Sequence, residues 1–264
     1  MKYSLAVCQF PRGDITHAAA SGWLLKTQPQ WIEDERIEKV LPFRFGEPDI
    51  KMARRLAVKT ALDYGAEYIL MIDSDMEPDC EPDGKPFWDT AWNFLMRRRM
   101  REIAYGEVSS RSCNGATNEV PPATIAAPYC CAPPDEVVNV FRFSNRGSGD
   151  PSPEFLMQKY DRDQAAAFTG IFEVAALGTG LILYDARVFH RLPPPWFCYE
   201  YADEPMRTIK KTSEDVYQTR NASLLGMPQF CAWDCWAGHH KDKLVRKPAP
   251  YSAAWVPDLI ADAV

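Results

Sequence analysis

The sequence predicts one α/β domain with a central, mostly parallel sheet flanked by helices, and three stretches carry that prediction. Tyr68 to Ile72 is a short apolar, β-leaning run between Gly65 and a group of acidic and proline residues, the pattern of a strand buried on both faces. Ile50 to Tyr64 places Ala53, Leu56, Ala57, Thr60, Ala61 and Tyr64 at helical spacing and feeds straight into that strand. Ser4 to Phe10 is an earlier apolar run. Strand, helix and strand within about seventy residues make a right-handed βαβ unit.

Taken in order, Ser4 to Phe10 is the first strand, and Pro11-Arg12-Gly13-Asp14 is the turn leaving its tip. His17 to Lys26 reads as a helix. The charged segment Trp31 to Val40 has no clear period, and Pro42 to Pro48 reads as a loop. Asp49 is placed to N-cap the next helix and Gly65 to stop it. The following strand lies in AEYILMIDSDMEPD, Ala66 to Asp79. Phe87 to Ile103 is a helix with aromatic and Leu positions inward and Arg97, Arg98, Arg99 and Arg101 on its solvated face. Glu107 to Pro122 is a polar loop holding Arg111, Cys113 and Asn114. Thr124 to Cys131 and Val137 to Phe143 are strands joined by Pro133-Pro134-Asp135.

Asn145 to Pro153 is rich in Gly, Ser and Pro but too short to separate two domains. Ile171 to Leu177 and Leu181 to Tyr184 flank Gly178-Thr179-Gly180, where paired glycines let a chain or ligand come close. Ala186 to Leu192 is a short helix ended by three prolines, and Trp196 to Lys211 is a loop carrying four aromatics. Ser213 caps a helix from Glu214 to Leu225, stopped by Gly226. A strand around Gln229 to Trp233 leads to Gly238-His239-His240-Lys241. The organised domain is 1–247, with 248–264 a proline-broken tail on the surface.

Composition narrows the function classes. With 264 residues, 46% of them hydrophobic, the chain can bury a sizeable core. Its 30 basic and 36 acidic residues leave a formal charge of −6, which argues against a broadly basic nucleic-acid surface. No apolar run approaches the ~20 residues of a membrane span. Arg12 and Asp14 arrive too early for a signal peptide, and eight cysteines without one suggest free thiols in a reducing, cytoplasmic setting.

The chemistry concentrates at Asp73-Ser74-Asp75, at the tip of the buried strand. A side-chain period of two sends Asp73 and Asp75 out on the same side, where their repulsion is relieved by a divalent cation. The C-terminal edge of such a sheet is where α/β proteins bind ligands, so a metal–phosphate site is expected. A solvated Asp-Ser-Asp turn is the plainer alternative. Cys231, Cys235, His239 and His240 fit a zinc spacing only at the first gap, and the two cysteines read as small core residues.

Several signals fall in one order: a first strand ending in a polar turn, KMARRLAVKTALDYGAEYILMIDSDM, GTGLILYDARVF, SEDVYQTRNASLLGM and WDCWAGHHK. From Ser4 to Lys241 this resembles the nucleotide-sugar glycosyltransferases of the GT-A fold, a Rossmann-like class, and especially their family-2-like members. The resemblance implies that Asp73 and Asp75 are the D-x-D pair for a divalent ion and the ribose, with Ser74 between them. It implies His239 as the late metal ligand, with His240 its rival, and Glu214-Asp215 as the acceptor-side acidic pair. Arg54 would contact the nucleotide or its diphosphate, and Gln9, Pro11 and Arg12 would lie at the nucleobase. Gly178 and Gly180 would allow close approach of the donor.

The activity implied by the resemblance is a divalent-metal-dependent transfer of sugar from a nucleotide-diphosphate sugar, with UDP the common choice, to a soluble acceptor. A saccharide or a hydroxylated base of modified DNA would serve as that acceptor. Mg²⁺ or Mn²⁺ suits oxygen-rich donors, and an imidazole favours Mn²⁺. If the sugar carbon inverts, Asp215 is the general base, with Glu214 the alternative, because a helix N-terminus keeps a carboxylate ionised. Three other classes use overlapping parts: a haloacid-dehalogenase-type phosphatase, a nucleotidyltransferase, and a non-catalytic sugar-binding module. The phosphatase would place its nucleophilic Asp on the first strand, and no Gly-rich phosphate loop is present.

Overall fold

Alternation along the first strand, β1 (Tyr3–Phe10), sets how the molecule is layered: Leu5 and Val7 enter one core, Ala6, Cys8 and Phe10 the other. The fold is taken from a computed structural model, which describes residues 1–11, 16–109, 120–131, 137–143, 157–201, 206, 210–241 and 244–245. The expectations for Arg12, Arg111, Cys113, Asn114, the turn at 133–135, the segment 145–153 and the tail 248–264 concern residues outside these.

After β1 come α1 (Ala18–Glu33), β2 (Ile37–Arg44), α2 (Ile50–Asp63), β3 (Tyr68–Asp73), β4 (Met76–Glu77) and α3 (Phe87–Ser109). Next are β5 (Thr124–Ala126), β6 (Val140–Phe143), β7 (Met157–Lys159), α4 (Arg162–Ala167), β8 (Ile171–Val174), β9 (Ala176–Leu177) and β10 (Leu181–Asp185). The remainder is α5 (Arg187–Arg191), β11 (Glu200–Tyr201), β12 (Lys210–Thr212), α6 (Glu214–Leu224), β13 (Gln229–Ala232), β14 (Gly238–His240) and β15 (Leu244–Val245).

The central sheet has seven strands in the order β2-β1-β3-β10-β5-β13-β8. β2, β1, β3, β5 and β13 run one way, and β10 and β8 run the other. The sheet is therefore mixed, with a parallel majority, inside an α/β domain. On one face, α1 and α3 pack Trp23, Trp31, Trp88 and Trp92 against Leu5, Leu70 and Leu183. On the other, Ala53, Ala57, Val58 and Ala61 of α2 cover Ala6, Cys8, Ile69 and Met71. Small residues along α2 let the helix lie close to the strands.

Two expected boundaries are corrected. α1 continues past Lys26 and through Pro29 to Glu33, because Trp23 and Trp31 are anchored in the aromatic cluster, with Trp31 and Trp88 ring centroids 5.7 Å apart. Residues 37–44, which straddle the segment without clear period and the expected loop, form β2. This strand lies at the sheet's edge, which explains both its charges and its tolerance of Pro42.

A smaller sheet, β15-β14-β4, adjoins the tip of β3, with Gly238 opposite Glu77 and His239 opposite Met76. The short β4 has no sequence signal, yet it is what brings the two histidines to the acidic turn. Two further small sheets are β7-β6-β9 and β11-β12. Among the described residues no helix is long and apolar enough to cross a membrane. No disulfide joins any two of the described cysteines, and Cys231 and Cys235 are buried core residues as expected.

Candidate functional site

Tyr68, Leu70 and Ile72 face the tryptophan layer, so the alternate positions Ile69, Met71 and Asp73 face α2. Arg54 lies on the buried stripe of α2 and meets Asp73 there: its Nη2 donates to Oδ1 at 2.9 Å and Oδ2 at 2.7 Å. Its Nη1 donates to Glu214 Oε1 at 2.6 Å, from the first turn of α6. Arg54 is only 3% exposed, and its buried Nε has no hydrogen-bond partner among the described residues.

Burial disfavours the guanidinium's charge, but Asp73, Glu214 and Asp215 hold the Arg54 pKa above its usual value. Burial also pushes Asp73 up to about 6, with Arg54 opposing the rise and Asp75 and Asp215 adding to it. Asp73, Asp75, Arg54 and Asp215 are thus one electrostatic cluster drawn from distant parts of the chain. Phe10, the residue opposite Asp73 in β1, lies under the Arg54 guanidinium at 5.9 Å.

The strand ends at Asp73, and Ser74 and Asp75 form a turn before β4. The period-two argument therefore stops at Asp73, and the two carboxylates have different partners. The Ser74 carbonyl accepts from the His17 backbone N–H at 2.9 Å, and the Asp75 carbonyl from that of His240 at 2.7 Å. The Asp75 Oδ2 lies 3.4 Å from His239 Nε2 and accepts a hydrogen bond from Lys241 Nζ. Although burial acts to raise it, the His239 and Lys241 contacts hold the Asp75 carboxyl below the usual carboxylate range.

His239 is fixed from behind. Its Nδ1 is 2.9 Å from the Cys130 carbonyl, so the ring donates there and turns Nε2 to Asp75. Its rival His240 points elsewhere, 2.9 Å from Glu77 Oε2 and stacked on His17 at 3.5 Å between centroids. Of the two histidines, the structure brings His239 to Asp75.

At the start of α6, Asp215 Oδ1 accepts from the Val216 N–H at 2.8 Å and from the Ser213 hydroxyl. Ser213 holds the N-cap position, but its hydroxyl serves Asp215 rather than a backbone N–H. Asp215 Oδ2 faces the Asn139 amide at 3.4 Å, and the same amide donates to Tyr129 Oη at 2.8 Å. Glu214 is committed to Arg54, whereas among the described residues Asp215 Oδ2 has a single long contact. Both carboxylates are 7% exposed.

The glycines have an internal neighbour. A Cβ on Gly178 would fall 2.0 Å from Asn139 Nδ2 and 2.3 Å from Tyr129 Oη. One on Gly180 would fall 2.8 Å from Met76 Sδ, and the Gly180 carbonyl accepts from the Asp73 N–H at 2.8 Å. Close approach is needed here, as the glycine spacing predicts, and the approaching atoms belong to the chain itself.

Gln9 lies on the other face of β1 from Asp73's neighbour Phe10. With Val7, Ser21, Gln28 and Trp31 it lines a cavity of about 650 Å³ between α1 and β2. Pro11 is buried at the strand's exit. Arg55 bonds the Trp196 carbonyl at 2.6 Å, and the Trp196 indole bonds the Leu192 carbonyl at 2.9 Å. Phe197 is fully buried, so these two loop aromatics are packing residues. Arg98 stacks over Phe230 at 5.0 Å. Asn139 and Tyr129 are not among the residues the sequence singles out, because each sits beside an apolar strand with no motif of its own.

Among the described residues no group of three or more His, Cys, Asp or Glu side chains is gathered for a metal ion. Two side chains with donor atoms for a cation do come together. Asp75 Oδ2 and His239 Nε2 stand 3.4 Å apart, close enough to share a cation at bond lengths of roughly 2.0–2.2 Å, and the Nδ1–carbonyl bond is the usual outer support of a ligating histidine. Asp73 differs, since both its oxygens are taken by Arg54.

No family model matches the sequence, and no curated protein matches it. A crystal structure of A197 from STIV aligns over 96% of this chain and 97% of that chain, with a TM-score of 0.51 and 14% identity. HddC from Yersinia pseudotuberculosis aligns over 90% and 93%, with a TM-score of 0.30 and 10% identity, a level that carries no argument. The first likeness is one of fold alone.

Proposed function

We propose that the chain is a glycosyltransferase of the GT-A type, moving a sugar from a nucleotide-diphosphate donor, with UDP the first carrier to test, to an acceptor hydroxyl. The observation that carries this reading is the meeting of Asp75 and His239 beside the coupled Asp73–Arg54–Glu214 cluster and Asp215, at the end of β3. The strand-tip position suits a charged ligand.

Asp75 and His239 would hold a divalent ion, whose remaining positions suit phosphate oxygens and water. When bound, such an ion offsets the negative charge that gathers on the departing diphosphate. Arg54 is a positioning residue, locking Asp73 and Glu214 in one arrangement. Asp215 accepts the acceptor's proton through Oδ2, while Ser213, Val216 and Asn139 fix its orientation.

A thermal-shift panel of nucleotide sugars with and without Mn²⁺ tests the reading. One donor should stabilise the protein only with the ion, and Asp75→Ala should abolish that response. A full panel without any ion-dependent stabilisation would sink it.

A further inference from the structure

Lys241 closes the acidic corner in a way that the site's assignment leaves unexplained. Its ammonium bonds the same Asp75 oxygen, Oδ2, that His239 Nε2 approaches at 3.4 Å. A lysine and a divalent ion are both cations seeking that oxygen, and placing them side by side costs repulsion. We propose that Lys241 is a resident counter-cation that occupies Asp75 until a divalent ion displaces it, so that lysine pairing and ion binding exclude one another. This inference rests on the preceding reading in taking Asp75 and His239 as the ion's donors.

The surroundings decide which partner moves. His239 is pinned by its Nδ1 contact to the Cys130 carbonyl and by Tyr129, edge-on at 5.3 Å between centroids. Its backbone is held in register with Met76 of β4. Asp75 is held through its own carbonyl by the His240 N–H at 2.7 Å. Lys241 follows β14 on a flexible four-carbon stem, with its side chain 35% exposed. It alone of the three can leave without breaking the small sheet.

Mn²⁺ in the presence of uridine diphosphate, whose phosphate oxygens fill the positions two side chains leave open, is the probe. The electron paramagnetic resonance signal of free Mn²⁺ would be followed against wild type, Lys241→Gln, Lys241→Met, Lys241→Arg and Asp75→Asn, each checked for a cooperative melt. Neutral side chains at 241 should tighten Mn²⁺ binding about five- to tenfold by removing the competitor. Lys241→Arg should stay within about twofold of wild type, since it keeps the charge. Unchanged or weaker binding by both neutral variants, with Asp75→Asn still abolishing it, overturns the lysine proposal and leaves the ion reading intact. Absence of Mn²⁺ binding by wild type and neutral variants alike overturns both.

Discussion

Arg54 carries one positive charge between the part-buried Asp73 and the buried Glu214, the latter 160 residues away in the chain. Removing it would strand Asp73 and Glu214 against each other, so Arg54→Met should cost about 3–5 kcal/mol, read from urea unfolding. Asp73 adds a pH signature. Its native pKa of about 6 lies above an unfolded value near 3.9, so its stabilising contribution is complete below about 3.9 and lost as pH rises through about 6. Asp73→Asn should remove that decline in the unfolding midpoint. Asp75 acts in the opposite sense: its pKa is lowered, so its contribution is present above about 3.9 and lost as pH falls towards its native value. If Asp215 is the proton acceptor proposed above, Asp215→Asn should slow transfer by roughly 10²–10⁴ while still allowing a donor to stabilise the protein. The sequence singles out each of these residues, and the structure brings them together. Their pairing was not legible in the sequence, since nothing in KMARRLA distinguishes the buried Arg54 from its neighbour Arg55, which bonds a loop carbonyl instead.

Elements place these side chains with little slack. Gly178, between β9 and β10, leaves room for Asn139, held by Tyr129, to reach Asp215, and a methyl group there has nowhere to go. Gly178→Ala should destabilise by about 1–3 kcal/mol and also lower turnover, measured by denaturation and by initial rates. The helix α2 was readable with its cap, since Asp49 accepts from the Lys51 N–H at 3.1 Å and Gly65 takes a φ of +74°. The strand β3 was readable because apolar continuity marks a strand buried on both faces. The strands β2 and β4 were not. The first is charged because it lies at an edge, and the second is two residues long and defined only by its partner. Tertiary packing likewise overrode the helix-breaking signal of Pro29 in α1.

For the molecule as a whole, ligand binding and stability are one measurement. A donor at about one hundred times its Kd adds about 2.7 kcal/mol, which for a chain of this size should raise Tm by roughly 5–10 °C. Two aromatic and aliphatic cores, one on each face of the sheet, make such a shift a report on the entire domain. The general plan of strands between helices was legible, while the reversed strands β10 and β8 were not, because strand direction leaves no mark on composition. The sheet also ends at β2, an outermost strand that contains Pro42. A ring nitrogen cannot donate a hydrogen, so this rim offers a broken seam to any second molecule trying to zip alongside. Pro42→Val would mend the seam, and ultracentrifugation should then find self-association that grows with concentration more steeply than the parent's.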